Sequence, residues 1–319
     1  MKKIAVLTSG GDAPGMNAAI RAVVRYGNSV GMEVYGAERG FQGLIDNALV
    51  PMTMRSVSDI IHRGGTILKT ARCLEFKTEE GQQKAIKNLT ERGIEGVIVI
   101  GGDGSFMGAK ALSEHNFPSI GIPGTIDNDL AYTEYTLGFD TACNTILDAI
   151  NKIRDTMSSH DRVSIIEVMG RNCGDLALYS GLCGGAEVII VPEHKISIEE
   201  TVKILGAGQQ LGKTSGIIVL AEGAGRAGEL KDELIKRTGM AVKSTVLGYI
   251  QRGGSPSCRD RYLGTAWGVH AVKLLQQGVG NRICGIRHNK IYDMDIVEGC
   301  AMKKKFDLEL YNMAMAVSK

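Results

Sequence analysis

Short runs rich in Val and Ile alternate along this chain with segments whose apolar residues recur at helical spacing, and that alternation limits the fold more than any other feature. The runs Ile4 to Leu7, Val97 to Ile100, Ser119 to Ile122, Val163 to Val168, Val188 to Val191 and Ile217 to Leu220 read as buried strands. Between them, Asn17 to Tyr26, Gln82 to Arg92, Cys143 to Thr156, Ile198 to Leu211 and Gly264 to Gln276 read as helices. Strand and helix in turn specify an α/β fold, with mainly parallel sheets covered by helices on both faces and right-handed crossovers. At 319 residues the chain is long enough for two domains, each with its own core. Many of its 42 glycines stand directly after a predicted strand. In sheets of this kind ligands bind at the carboxyl ends of strands, so functional residues are expected in those loops.

Charge narrows the function. The formal net charge of +2 lacks the basic excess of a dedicated nucleic-acid binder, so any cationic work must be local. The seven cysteines form no CxxC pair, and their odd number fits scattered thiols in a reducing cytoplasm better than a disulfide framework. The opening MKKIAVLTSGG has too short an apolar run for a signal peptide and reads as a first strand. No stretch approaches the roughly twenty apolar residues of a membrane span.

Three post-strand loops carry chemistry. Thr8-Ser9-Gly10-Gly11-Asp12-Ala13-Pro14-Gly15-Met16-Asn17 offers backbone N–H groups that could cradle phosphate, or is simply a tight turn into a helix. Gly101-Gly102-Asp103-Gly104-Ser105 sets one carboxylate among glycines, a pattern that suits magnesium shared with phosphate oxygens; alone, it also fits a turn in which Asp bonds its own backbone. Pro123-Gly124-Thr125-Ile126-Asp127-Asn128-Asp129 places two carboxylates two residues apart, where one could accept a proton and the other orient. A calcium loop is the rival there, although the regular series of oxygen ligands is missing.

Taken together, LTSGGDAPGMNAAIR, GGDGS, PGTIDND, MGRNCGD and QRGGSP, in this order and spread over essentially the whole chain, resemble the bacterial ATP-dependent 6-phosphofructokinase family. The resemblance implies two Rossmann-like lobes with the active site in the cleft between them. The larger, ATP-binding lobe would be residues 1–138 plus 252–305, and the smaller, sugar-phosphate-binding lobe residues 139–251 plus 306–319. It implies that Asp127 is the general base for the sugar 1-hydroxyl, with Thr125 and Asp129 beside it, that Arg171 stabilises the transition state and that Arg72 steadies the transferring phosphate. Gly11, Arg72, Cys73, Gly102, Asp103, Gly104, Ser105 and Gly108 would contact ATP, with Asp103 holding Mg2+. Fructose 6-phosphate would meet Thr125, Ile126, Asp127, Asp129, Arg162, Met169, Gly170, Arg171, Glu222, Lys243, Tyr249, Ile250, Gln251 and Arg252, some from a neighbouring subunit of a homotetramer. Arg21, Arg25, Asp59, Arg154, Gly185, Glu187 and Lys213 would form an effector site for ADP or phosphoenolpyruvate.

The chain departs from the family pattern in places. Lys243 and Tyr249 stand where arginine and histidine are usual, so the same substrate is expected at altered affinity. Leu211 and Ser215 replace a common arginine and a frequent histidine at the effector site, and Arg55 lies one position from another basic site. Gly104 and Gly124 occupy positions where pyrophosphate-using relatives carry Asp and Lys, which favours ATP as donor. The alternatives are a pyrophosphate-dependent phosphotransferase and a catalytically silent effector sensor. The NAD and lipid kinases share only the GGDG loop.

Overall fold

The computed structural model describes residues 1–318. Its strands are β1 (Lys3–Thr8), β2 (Glu33–Ala37), β3 (Leu49–Met52), β4 (Gly96–Gly101), β5 (Ser119–Thr125), β6 (Leu137–Gly138), β7 (Val163–Val168), β8 (Val188–Ile190), β9 (Gly216–Ala221), β10 (Val242–Val246), β11 (Arg282–Arg287) and β12 (Lys290–Asp295). The helices are α1 (Met16–Ser29), α2 (Phe41–Ile45), α3 (Glu79–Glu91), α4 (Asp103–Glu114), α5 (Phe139–Ser158), α6 (Asp175–Cys183), α7 (Ile198–Gln210), α8 (Ala227–Thr238), α9 (Cys258–Gln276), α10 (Ile296–Ala301) and α11 (Leu308–Val317). Five of the six Val/Ile runs lie wholly in strands and the sixth, Val188 to Val191, runs one residue past β8; the parallel α/β architecture that the alternation implies is present.

The chain divides into two units. The first comprises Met1–Ile126, Leu130–Thr141 and Arg252–Lys304, and the second Asp127–Asp129, Ala142–Gln251 and the chain from Lys305. The first holds a sheet ordered β12-β11-β5-β4-β1-β2-β3, with β6 beside β5. Its centre is parallel, and its two outermost pairs, β2 with β3 and β11 with β12, are antiparallel. Strand β4 is buried along its whole length, as a strand covered on both faces must be. The outer strands β3 and β12 are more exposed, and Pro51, which has no N–H to donate, sits in β3 at the sheet edge.

Helices α1 and α9 pack along a seam of small residues. A Cβ added to Gly268 would lie 2.7 Å from the Ala22 Cβ and 2.8 Å from the Ala19 carbonyl oxygen, so only glycine permits this approach. The seam fixes α1, and with it the glycine-rich turn that precedes its first residue, Met16.

In the second unit the sheet is ordered β10-β7-β9-β8 and is parallel throughout. Ile165, Ile218 and Leu220 on the sheet pack with Leu205 of α7 and with Ala227 and Leu234 of α8 into its core. Strands β7 and β9 are buried end to end.

Candidate active site

In the first unit the glycine-rich turn runs from Thr8, at the end of β1, to Met16, the first residue of α1. Gly11 lies under the guanidinium of Arg252, whose Nη1 would be 2.8 Å from a Cβ at that glycine. The GGDGS segment is not a free loop. Gly101 closes β4, Gly102 caps α4 and Asp103 is the first helical residue. Asp103 and Gly104 are exposed while Ser105 is buried, so this helix start presents its carboxylate and its N–H groups outward. Asp103 also acts on Cys300, whose thiol is pushed up to about 11 by burial first and then by this carboxylate. Arg72 is exposed, Cys73 half-buried, and Gly108 lies against Phe41, where a Cβ would come within 2.4 Å of the ring.

The third segment also begins earlier in structure than in sequence. Pro123, Gly124 and Thr125 continue β5 instead of forming a loop, because Gly101 of β4 pairs with Pro123 and β6 pairs with Gly124 and Thr125. The side chain of Thr136 donates to the Thr125 carbonyl at 2.6 Å. Added neighbours on both sides hold extended a Pro-Gly pair that composition alone marks as a turn.

The second unit gathers the other chemistry at the carboxyl end of its sheet. Asp127 is 4 % exposed, and its Oδ2 lies 3.4 Å from Nε of Arg171, whose own side chain is largely exposed. Arg171 has φ +53 and follows Gly170 at φ +124. A Cβ at Gly170 would meet the Cys173 carbonyl at 2.4 Å, so glycine is required there by both conformation and space. Glu222, just beyond β9, accepts a hydrogen bond from the Arg171 backbone N–H at 3.0 Å. The N–H of Met169 donates to Oε1 of Gln251 at 3.1 Å, and Gln251 in turn donates to the Gly248 carbonyl at 3.0 Å. Gln251 is wholly buried and supports the turn from beneath. Tyr249 and Ile250, by contrast, are 80 % and 57 % exposed. Asp129 and Ile126 flank the Asp127 turn, the first half-buried and the second buried.

Two other residues from the expected sugar-phosphate set lie elsewhere. Arg162 immediately precedes β7 and Lys243 pairs with Ser164 in the first part of that strand, so both sit at the amino end of the sheet. The six residues of β7 separate them from the Met169–Arg171 turn by about 20 Å.

Of the expected effector residues, four gather in the second unit. Arg154 donates to the carbonyls of Gly184 and Gly185 at 2.6 and 2.8 Å. Lys213 pairs with Glu187 at 3.5 Å, and the other oxygen of Glu187 accepts from the Ile217 N–H at 2.7 Å. Exposed Leu211 joins Glu187 and Lys213 in lining a cavity of about 960 Å³. In the first unit Arg21 and Arg25 stand on α1, where burial first and the neighbouring Arg25 charge second hold the Arg21 guanidinium below its usual range. Asp59 is exposed and has φ +54.

Among the described residues, no helix is long and apolar enough to cross a membrane, and no three His, Cys, Asp or Glu side chains cluster as metal ligands. Comparison with known proteins decides the family. The phosphofructokinase family model matches residues 3–275. This chain belongs to the phosphofructokinase family. It is 61 % identical over 318 residues to the ATP-dependent 6-phosphofructokinase of Clostridioides difficile and 60 % identical over 318 residues to that of Clostridium tetani, each match covering 100 % of both chains. A phosphofructokinase structure from Saccharomyces cerevisiae superposes with a TM-score of 0.90 at 35 % identity, covering 100 % of this chain and 48 % of the yeast chain. The present chain thus spans about half the length of that yeast phosphofructokinase.

The structure also brings forward two residues absent from the expected set. Asn128 and Asp175 are both buried and hydrogen-bonded to each other, although both lie inside recognisable motifs. That Asn128 stands between two acids was available in the sequence, but its burial was not. Nor was its partner, 47 residues away.

Proposed function

We propose that the chain is an ATP-dependent 6-phosphofructokinase, transferring the γ-phosphoryl group of ATP to the 1-hydroxyl of fructose 6-phosphate to give fructose 1,6-bisphosphate and ADP. The observation that carries this reading is the pair Asp127–Arg171, a buried carboxylate beside an exposed guanidinium, in a chain related along its full length to enzymes named for that activity.

Phosphoryl transfer asks for a positioned acceptor of the hydroxyl proton and for cations that spread charge on the moving group. Asp127 accepts the proton of the sugar 1-hydroxyl. Arg171, held by Gly170 and by Glu222 at its backbone, turns a planar fork of donors toward the equatorial phosphoryl oxygens. Thr125 and Asp129 orient the hydroxyl, and Arg72 steadies the transferring phosphate. The first unit binds ATP along Gly11, Cys73, Gly102, Gly104, Ser105 and Gly108, and the second binds the sugar phosphate. Asp103, exposed at a helix start with open space beside Gly104, fits a magnesium ion that takes one protein carboxylate with phosphate oxygens and water. That ion, when bound, neutralises charge on the phosphates. Transfer is direct and in line, without a phosphoenzyme.

A homotetramer is part of the proposal. Arg162 and Lys243 stand too far from Arg171 along their own sheet to meet the same sugar phosphate, which supports their serving a neighbouring copy. Control by ADP or phosphoenolpyruvate at Arg154, Glu187 and Lys213 is proposed likewise, with Leu211 weakening it by about one or two decades in affinity, the value of a lost charge-assisted hydrogen bond. A cytoplasmic setting suits the scattered thiols.

The deciding experiment is the initial rate with fructose 6-phosphate and magnesium, offering ATP or pyrophosphate separately. Product with ATP alone is the expected result. Product with pyrophosphate alone would overturn the donor, and none with either would favour a silent sensor.

A further inference from the structure

The turn that carries Asp127 is tied at two points to the motif that carries Arg171. Asn128, next to Asp127, has φ +52, in the left-handed region that Asn enters more readily than most side chains. Its Nδ2 donates to Oδ2 of Asp175 at 2.8 Å, and its backbone carbonyl receives the thiol of Cys173 at 3.9 Å. Asp175 opens α6, and the residue before it, Gly174, donates its N–H to Glu193 at 2.9 Å. Asn128 is 2 % exposed and Asp175 8 %, so the bond between them is shielded from water. Arg171, four residues before Asp175, also has positive φ. The turn beside the proposed base is thus braced against the helix start that follows the proposed charge clamp.

We infer that Asp175, acting through the Asn128 amide, is a positioning residue for phosphoryl transfer: it holds the Asp127 turn at the distance from Arg171 that the reaction needs. Neither side chain touches a reacting atom in this role. The inference rests on the assignment of Asp127 as base, and it goes beyond that assignment by naming what keeps the base in place. Misplacing a reacting group by about 1 Å costs on the order of 10²-fold in rate, so a brace of this kind acts on turnover rather than on binding.

The test is a mutational cycle on the full-length enzyme. Asp175→Ala should lower kcat about 10- to 100-fold while KM for ATP and for fructose 6-phosphate moves less than about threefold. Asp175→Asn keeps a side-chain oxygen able to accept from Asn128 and should recover most of the loss. Asn128→Gly, which keeps the left-handed backbone and removes only the amide, should reproduce the Asp175→Ala effect and guards against a fold defect in the latter. Adding Asp175→Ala to Asp127→Ser should cost less than about twofold further, because the loss runs through the base that is already gone. Unchanged kcat in Asn128→Gly and Asp175→Ala, or a loss that multiplies fully in the double variant, would overturn the inference while leaving Asp127 as base. Near-normal turnover in Asp127→Ser would overturn both.

Discussion

Nε of Arg171 lies 3.4 Å from Oδ2 of Asp127, joining a guanidinium that is mostly in solvent to a carboxylate that is almost entirely out of it. The exposed partner can swing to an incoming phosphate, while the buried one is fixed. Removing the proposed base should therefore harm turnover more than binding. Asp127→Ser is expected to lower kcat by about 10² to 10⁴ with much smaller changes in either KM. Steady-state kinetics would check this, and a variant with nearly normal kcat would refute the base assignment.

Donor choice can be probed at two glycines with different surroundings. A Cβ on Gly104 meets nothing within 4 Å, so Gly104→Asp should fold with a melting temperature within about 3 °C of the parent. Its carboxylate should still raise KM for ATP about tenfold or more through repulsion of the phosphates. A Cβ on Gly124 would lie 3.1 Å from Ile100 and from Met16, so Gly124→Lys should destabilise the fold by about 1–3 kcal/mol. Thermal melts beside ATP titrations separate the two effects; an unstable Gly104→Asp would contradict the open space seen there.

A site shared between copies makes a distinct prediction. Arg162→Ala and Asp127→Ser should each be nearly inactive alone, since one removes a proposed phosphate contact and the other the proposed base. Mixed under conditions that allow subunit exchange, they should regain a measurable part of the parent activity, because some sites then combine an intact Arg162 from one copy with an intact Asp127 from another. No recovery after verified exchange would place both residues in the site of a single copy.

Asp260, at the start of α9, is fully buried and receives the N–H groups of Gly138 and Thr141 at 2.8 and 2.9 Å and the hydroxyl of Thr141. Burial pushes its carboxyl up to about 6 and Asp140 adds to this, although the three hydrogen bonds pull the other way. Between its unfolded value near 3.8 and about 6, the native state therefore holds a proton that the unfolded chain has released. Stability from this group is present at low pH and is lost as pH rises through 6, by an amount on the order of 3 kcal/mol. Asp260→Asn cannot titrate, so the stability of the parent relative to this variant should improve by about 1–2 kcal/mol from pH 7 to pH 5 in urea melts. A change of opposite sign would show that the hydrogen bonds outweigh burial.

Much of the fold was legible because its central strands are buried on both faces. Runs such as Val97 to Ile100 and Ile217 to Leu220 have no alternation to misread, and each lies inside an observed strand. The edges were harder. Lys290–Asp295 mixes charge with apolar residues because it is partly exposed and antiparallel, and Pro51 within β3 argues against a strand anywhere but at a sheet edge. The loops named for chemistry were legible as glycine-rich segments after strands, but not their conformations. Asp103 proved helical because Gly102 caps α4, and Gly124 proved extended because β4 and β6 flank it.

By itself the sequence determined the α/β class, the order of the motifs and the family, since these depend on local periodicity and on residue identity at fixed spacing. Tertiary structure alone decided that Asp127 meets Arg171, that Asn128 is braced by Asp175, and that Arg162 and Lys243 stand at the opposite end of the sheet from Arg171. Those relations join residues tens of positions apart, and they are set by parallel strand register and by which helix starts the packed sheet leaves room for; no local pattern in the chain encodes either.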